Sequence, residues 1–558
     1  MKKIGIVVFL LFGFFGAGIA QNPVTYRNGM VVSAHPESSQ VGVDILKKGG
    51  NAIDAAVAVE LALAVVYPNA GNIGGGGFMI YRSADGKTDA LDYREKAPSQ
   101  ARENMYWAGD GTPIAALSMK GGLASGVPGT IAGMVKAHEK YGSLPWREVV
   151  QPAIDLAEKG FRLTEKQAKE FTKYHDVFVQ YSTQQTALTS QVTWNKGDLF
   201  VQSDLAQTLK RIQQEGRKGF YEGEVAKLIV EEMKRGNGMI TLADLKQYEA
   251  VWRTPIVSEY KGLKVISMPP PSSGGIALIA LLQSVERFPL KQWGFQSEKT
   301  IQVMVEAERR VYADRAKHLG DPDFWKVPQE ELTNKAYNVG RMSDLNFKEA
   351  TPSSQIKAGV FEGYESEETT HYAIVDQKGN AVSATTTLND SYGSKVIVGG
   401  AGFLLNNEMD DFSVKPGTPN MYGLVGGKAN AIEGNKRMLS SMTPTILEKN
   451  GKLYMVVGTP GGSTIITSVF QTILNVVEFG MNMQEAVAAP RFHHQWLPDQ
   501  IDYEPKAIEV KTRKALEDKK YVLKERNPYG KVEGILVNDD GSYQGGADPR
   551  GDDIAKGY

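Results

Sequence analysis

Not one of the 558 residues is cysteine, so disulfide stapling and thiolate metal sites are both excluded. Histidine is scarce too. The seven present form no His-Glu-x-x-His pair, and His493-His494 are adjacent rather than spaced along one helical face, so no metal is implied and both are expected to be structural. Neither sign of charge prevails: Lys plus Arg is 63, Asp plus Glu is 64, and the formal net charge is −1. Nucleic acid and acidic membrane surfaces are therefore not favoured as partners. No internal repeat and no long low-complexity or charged linker divides the chain. No apolar run of 18 residues follows the N-terminal segment, so no stable membrane span is expected.

That N-terminal segment has a basic head, Met1-Lys2-Lys3, an apolar run over residues 4–20, and small residues, Gly18 and Ala20, at positions −3 and −1 before polar Gln21. The pattern describes a cleavable secretory signal over residues 1–20, with export to the periplasm or the medium. The alternative is an uncleaved anchor, for which the run is slightly short of the usual span of about 20 residues. The mature chain would begin at Gln21.

The most informative positions are Glu368-Thr369-Thr370-His371, placed before a β-favouring run over 372–375 and a Lys378-Gly379-Asn380 turn. Thr-Thr at a strand start is also ordinary β-sequence. A threonine hydroxyl is a poor nucleophile without an adjoining base, and scission between Glu368 and Thr369 would supply one, the new α-amino group. Such an amine titrates near pH 7.7–8.0, so a useful fraction is unprotonated at neutral pH. His371 is not needed as base.

Residues 369–389 read as two strands around a turn at 377–380, with Thr385, Thr387 and Asn389 on one face at period two. Residues 404–412 carry Glu408, Asp410 and Asp411, and a Pro/Gly-rich loop follows over 415–427. Farther on, an apolar strand at 453–457 runs through Thr459-Pro460-Gly461-Gly462 into a helix from Ser463 that Gly480 would stop. Backbone N–H groups at such a helix start favour negative charge. The Gly-Lys-Ser/Thr ending of a phosphate loop is absent, so an oxyanion is the preferred occupant.

Upstream, residues 37–49 and 52–66 read as helices, the second capped by Asn51 with Asp54 completing a capping box and apolar all round. Gly74 to Gly77 would let backbones approach closely before a strand at 78–82. They do not follow a strand and open a helix, as a dinucleotide-binding turn requires.

Together the segments ETTHYAIVD, TTTLN, LLNNEMDDF, PNMYGLVGGKANA, RMLSSMTPTI, GTPGGS, APRFHHQWLPD and ADPRGDDIAKGY resemble the γ-glutamyltranspeptidases, N-terminal-nucleophile hydrolases. GNAIDAAVA, GNIGGGGF, LDYREKAP, GGLASGVPG and ADRAKHLGDPDF extend the likeness over nearly the whole mature chain. The resemblance implies an α+β fold, a four-layer αββα sandwich built jointly by a large subunit, residues 21–368, and a small catalytic subunit, residues 369–558, which form a heterodimer after self-cleavage. The polar stretch 348–368 would lie near the scissile bond.

It also implies roles. Thr369 is the nucleophile, Thr387 hydrogen-bonds it and assists cleavage, and Gly461 and Gly462 donate to the oxyanion. Arg94, Ser440 and Ser441 would hold the α-carboxylate of a γ-glutamyl group, and Asn389, Glu408 and Asp411 its α-ammonium. By themselves Arg94 could be a surface ion pair and Ser440-Ser441 a helix cap. Tyr422 resembles a residue of a lid loop over the pocket, or is an ordinary loop tyrosine. Expected partners are glutathione and other γ-glutamyl compounds, with amino acid or peptide acceptors, and no cofactor is implied. A cephalosporin acylase of the same superfamily and a non-cleaving exported amino-acid-binding protein are the alternative functions.

Overall fold

Period-two alternation along residues 370–375 decides the layering. Tyr372 and Ile374 pack into one apolar cluster with the helix Ala52–Val66, whereas Ala373 and Val375 pack into a second cluster with the opposite sheet. The computed structural model describes residues 23–356, 369–415 and 427–558. The expected leader 1–20, Glu368 and Tyr422 lie outside the described residues.

Two seven-stranded antiparallel sheets face each other. The first runs in the spatial order Val24–Tyr26, Tyr543–Ala547, Glu533–Val537, Lys452–Gly458, Thr445–Lys449, Leu263–Ser267, Ile256–Tyr260. The second runs Ile554–Gly557, Met30–Ser33, Thr370–Val375, Ala381–Thr387, Gly76–Arg82, Thr88–Asp92, Val251–Arg253. The helices Pro36–Lys47 and Ala52–Val66 cover the outer face of the second sheet, and Gly274–Val285 and Thr464–Val477 that of the first. The order of layers is helix, sheet, sheet, helix, as expected. Each sheet contains strands from before and from after Thr369 in hydrogen-bonded contact, so neither stretch completes a sheet alone.

The local signals upstream are realised. Asn51 accepts from Ile53 and Asp54 N–H at 2.9 and 3.1 Å, and Asp54 accepts from Asn51 N–H at 2.9 Å, closing the capping box. Every residue of Ala52–Val66 is buried. The glycines serve close approach: a Cβ on Gly75 would lie 2.0 Å from the Thr387 carbonyl oxygen, and one on Gly74 2.1 Å from that of Leu404. Among the described residues no helix is long and apolar enough to cross a membrane.

Beyond the capping turn, one acid interrupts the apolar helix. Glu60 is fully buried, and burial pushes its carboxyl from the ordinary 4.5 up to about 8, against a smaller opposing pull from the Thr386 and Tyr372 hydroxyls. The folded chain thus holds this proton more tightly than the unfolded one. The stability it supports is complete below pH 4.5 and lost as pH rises through about 8, at up to about 1.4 kcal/mol per pH unit. Glu60→Gln should lack that dependence. Urea unfolding at pH 5 and pH 8.5 is expected to show the variant gaining on the parent at the higher pH; a gap that stays constant contradicts the buried-proton assignment.

Candidate active site

The strand pairing that orders the second sheet also assembles its reactive end. Thr370 pairs with Thr386, which sets Thr369 opposite Thr387, and their Oγ1 atoms are 3.4 Å apart. Thr387 closes its strand, and its Oγ1 accepts from Asn389 N–H at 2.8 Å. Here the expected period-two face is corrected. Asn389 lies beyond the strand end with φ of 75°, in the left-handed region that asparagine tolerates, and its Nδ2 donates to the Asn407 carbonyl at 3.0 Å. Thr385 keeps the face and contacts His371 Nδ1 at 2.9 Å. Burial lowers His371 to about 3, so it is neutral at ordinary pH.

A turn from the facing sheet supplies the second wall. The strand Lys452–Gly458 leads through Thr459 and Pro460 to Gly461, φ 133°, and Gly462, φ 54°, before the helix Thr464–Val477. Among the described residues neither glycine N–H donates to a partner, whereas their carbonyls accept from Thr464 and Ile465 N–H at 3.0 and 3.1 Å. The turn is braced from behind. Ser463 Oγ donates to Gln495 Oε1 at 2.6 Å, and the same oxygen lies 2.8 Å from His493 Nε2, whose Nδ1 is 2.8 Å from Thr467 Oγ1. The structural role expected of His493 is therefore seen, and burial holds both it and His494 at about 4.

The third wall is polar. Arg94 Nη1 pairs with Glu408 and Nη2 with Asp411, Glu95 lies 3.6 Å from Nη1, and the guanidinium also donates to the Met438 and Leu439 carbonyls at 3.3 Å each. Ser440 Oγ accepts from Met442 N–H at 3.2 Å, and Ser441 Oγ accepts from Arg315 Nη2 at 2.7 Å. No helix begins at the two serines, so they are not caps. Arg94 is an ion pair, but a buried one.

A cleft of about 290 Å³ joins these walls, lined by Arg94, Thr369, Thr387, Asn389, Glu408, Asp411, Ser440, Ser441 and Gly462, together with Met442 and Ile465. Gly461 adjoins it without lining it. Glu95 and Arg315 were missed as site residues although both stand in quoted segments, because nothing in local spacing relates Glu95 to Glu408 or Arg315 to Ser441.

Comparison with known proteins identifies the family. The model of the family described as gamma-glutamyltranspeptidase matches residues 38–558. The chain belongs to the γ-glutamyltranspeptidase family. Among relatives of this family, the glutathione hydrolase proenzyme of Escherichia coli (strain K12) is 48% identical over 540 residues, covering 96% of this chain and 93% of that protein. The cephalosporin acylase structure from Bacillus halodurans superposes with TM-score 0.86 at 26% identity, covering 99% of both chains. The γ-glutamyltranspeptidase structure from Helicobacter pylori gives TM-score 0.57 at 45% identity, covering 60% of this chain and 96% of that one.

The electrostatics of this family member's cleft are dominated by burial. It raises Glu95 to about 7, Glu408 well above its usual value and Asp411 above its own, with the Arg94 charge pulling each back in part. Burial also disfavours the guanidinium, but the three acids outweigh it and hold Arg94 above the ordinary arginine value. Burial thus draws each of these carboxyls toward its neutral form, while the ion pairs with Arg94 favour the charged one. Arg94→Met, which strands buried acids, is expected to lose about 3–5 kcal/mol. Glu408→Gln, which keeps an acceptor facing Arg94 and removes an acid whose charged form burial disfavours, should lose less, roughly 1 kcal/mol. Urea unfolding at pH 7 checks the pair; equal losses would contradict the burial effect on Glu408.

Proposed function

We propose that this chain is an exported γ-glutamyltranspeptidase and glutathione hydrolase that cleaves itself before Thr369. The large piece, residues 21–368, and the small piece, residues 369–558, then remain together, since both sheets need strands of each. The observation that carries the reading is the convergence of Thr369, Thr387, the Gly462 turn and a cluster of both charge signs on one cleft.

The chemistry follows from these positions. In the cleaved protein Thr369 carries a free α-amino group that takes the proton of its own Oγ as that oxygen attacks the γ-amide carbonyl. The tetrahedral oxyanion is received by the N–H groups of Gly461 and Gly462, backed by the helix Thr464–Val477. The α-ammonium returns the proton to the leaving amine, and a γ-glutamyl ester remains on Thr369. Water releases glutamate, whereas an amino acid or peptide amine forms a new γ-glutamyl amide. Thr387, 3.4 Å from Thr369 Oγ1, orients the nucleophile and assists the initial scission.

An amino-acid head suits the polar wall because it adds no net charge. Its ammonium takes a share of Asp411 and Glu408 beside Asn389, and its carboxylate a share of Arg94 beside Ser440 and Ser441, so charges of opposite sign alternate. The likeness to a cephalosporin acylase structure supports a second reading, an acylase for side chains other than γ-glutamyl. The presence of the whole head-binding set favours the γ-glutamyl reading.

Thr369→Ala should yield a single uncut band on a denaturing gel with no γ-glutamyl anilide turnover, where the parent gives two unequal bands. Cutting of this variant at 368/369 would end the self-processing mechanism. In the parent, the single-turnover acylation rate is expected to rise as pH passes through about 7 to 8, where an α-amino group loses its proton. A stopped-flow profile that is flat from about pH 6 to 9 would argue against that base.

A further inference from the structure

Arg315 stands one layer behind the cleft. It lies in the last turn of the helix Glu298–His318 and is buried, with Nε donating to Ser273 Oγ at 2.8 Å and Nη2 to Ser441 Oγ at 2.7 Å. Ser273 in turn donates to the Ser440 carbonyl through both its N–H and its Oγ, each at 2.7 Å. One guanidinium therefore grips both serines of the wall, Ser441 directly and Ser440 through Ser273.

A guanidinium only donates, so Ser441 Oγ must present a lone pair to Arg315 and direct its own proton elsewhere. Donation from a cation also makes that hydroxyl a stronger donor in its turn. Ser441 lines the cleft, so the arrangement prepares a donor for an anionic acceptor there. Arg94 is poorly placed to supply this preference alone, because Glu408, Asp411 and Glu95 already surround it. The field of Arg315 also reaches Asp411, which places its charge within range of the same ligand head.

We propose that Arg315 is a positioning residue that makes the site select substrates bearing an α-carboxylate, acting through the hydroxyl of Ser441. This rests on the γ-glutamyl reading above and names the residue that enforces one part of it. Arg315 touches no reacting atom. Its effect belongs to recognition of the head group, and the amide-cleaving atoms are served by other residues.

The test compares two anilides that differ only in that carboxylate, γ-glutamyl p-nitroanilide and 4-aminobutyryl p-nitroanilide, on the matured parent enzyme, Arg315→Met and Arg315→Lys. Arg315→Met should raise KM for the first substrate about tenfold or more with little change in kcat, because a charge-supported hydrogen bond is weakened in ground and transition state alike. Its kcat/KM for the second should stay within about threefold, so the preference between substrates collapses. Arg315→Lys should recover part of the preference. Ser441→Ala should abolish the effect of Arg315→Lys, since the route through the hydroxyl is gone. Equal losses on both substrates, or a preference unchanged by Arg315→Lys, overturn the proposal, as does an Arg315→Lys effect that persists in Ser441→Ala. Those outcomes leave the γ-glutamyl reading standing if the parent turns over the first substrate; a parent inactive on it defeats that reading and the inference with it.

Discussion

The site depends on one backbone constraint, the register in which residues 370–375 pair with 381–387 at the centre of the second sheet. Because side chains alternate at period two, a slip of one residue would turn Thr369 away from Thr387 and send Tyr372 and Ile374 into the wrong layer. Burial on both faces excludes that slip. The close pass of Gly74 and Gly75 beneath the strand end tightens it further, since any side chain there would meet the Leu404 or Thr387 carbonyl. The core thus fixes where the hydroxyl of Thr369 stands before any ligand arrives.

Against this fixed threonine the polar wall is built from charges that offset one another. Arg94 is surrounded by three acids, and burial opposes the charged form of each while Arg94 favours it. A lone anion or a lone cation would unbalance the cluster. In the proposed reading a zwitterionic head inserts into it as an alternating array, so that both groups are recognised together. The turn at Gly461 and Gly462 supplies a different kind of charge, partial and fixed in the backbone, and with the turn braced by Ser463, Gln495 and His493 the two glycine N–H groups donate to no partner among the described residues.

Much of this was legible in the sequence where the controlling interaction is local. The Asn51–Asp54 capping box, the apolar helix after it, the hairpin from Thr370 and the strand-to-helix turn at Gly461 and Gly462 all arise from contacts within a few residues, and all are found. The family resemblance added the layer order and the set of cleft residues. It did not reveal that Arg94 and the acids meant for the ammonium are bound to each other. Asn389 was misplaced because the alternation rule was carried beyond Thr387, where the chain turns into the left-handed region.

By itself the sequence determined an inventory: a threonine that a single scission would make a self-activated nucleophile, a glycine turn suited to an oxyanion, acids and bases for an amino-acid head, and no thiol chemistry. Tertiary structure alone decided the partnerships, since Arg94 and Asp411 are 317 positions apart and Arg315 and Ser441 are 126. Helical and strand periodicities act over a few residues, whereas those contacts exist only because two sheets and their covering helices pack in one register. The same burial set the proton affinities of Glu60, Glu95 and Glu408, which depend on how far water is excluded and not on the identity of the neighbours in the chain.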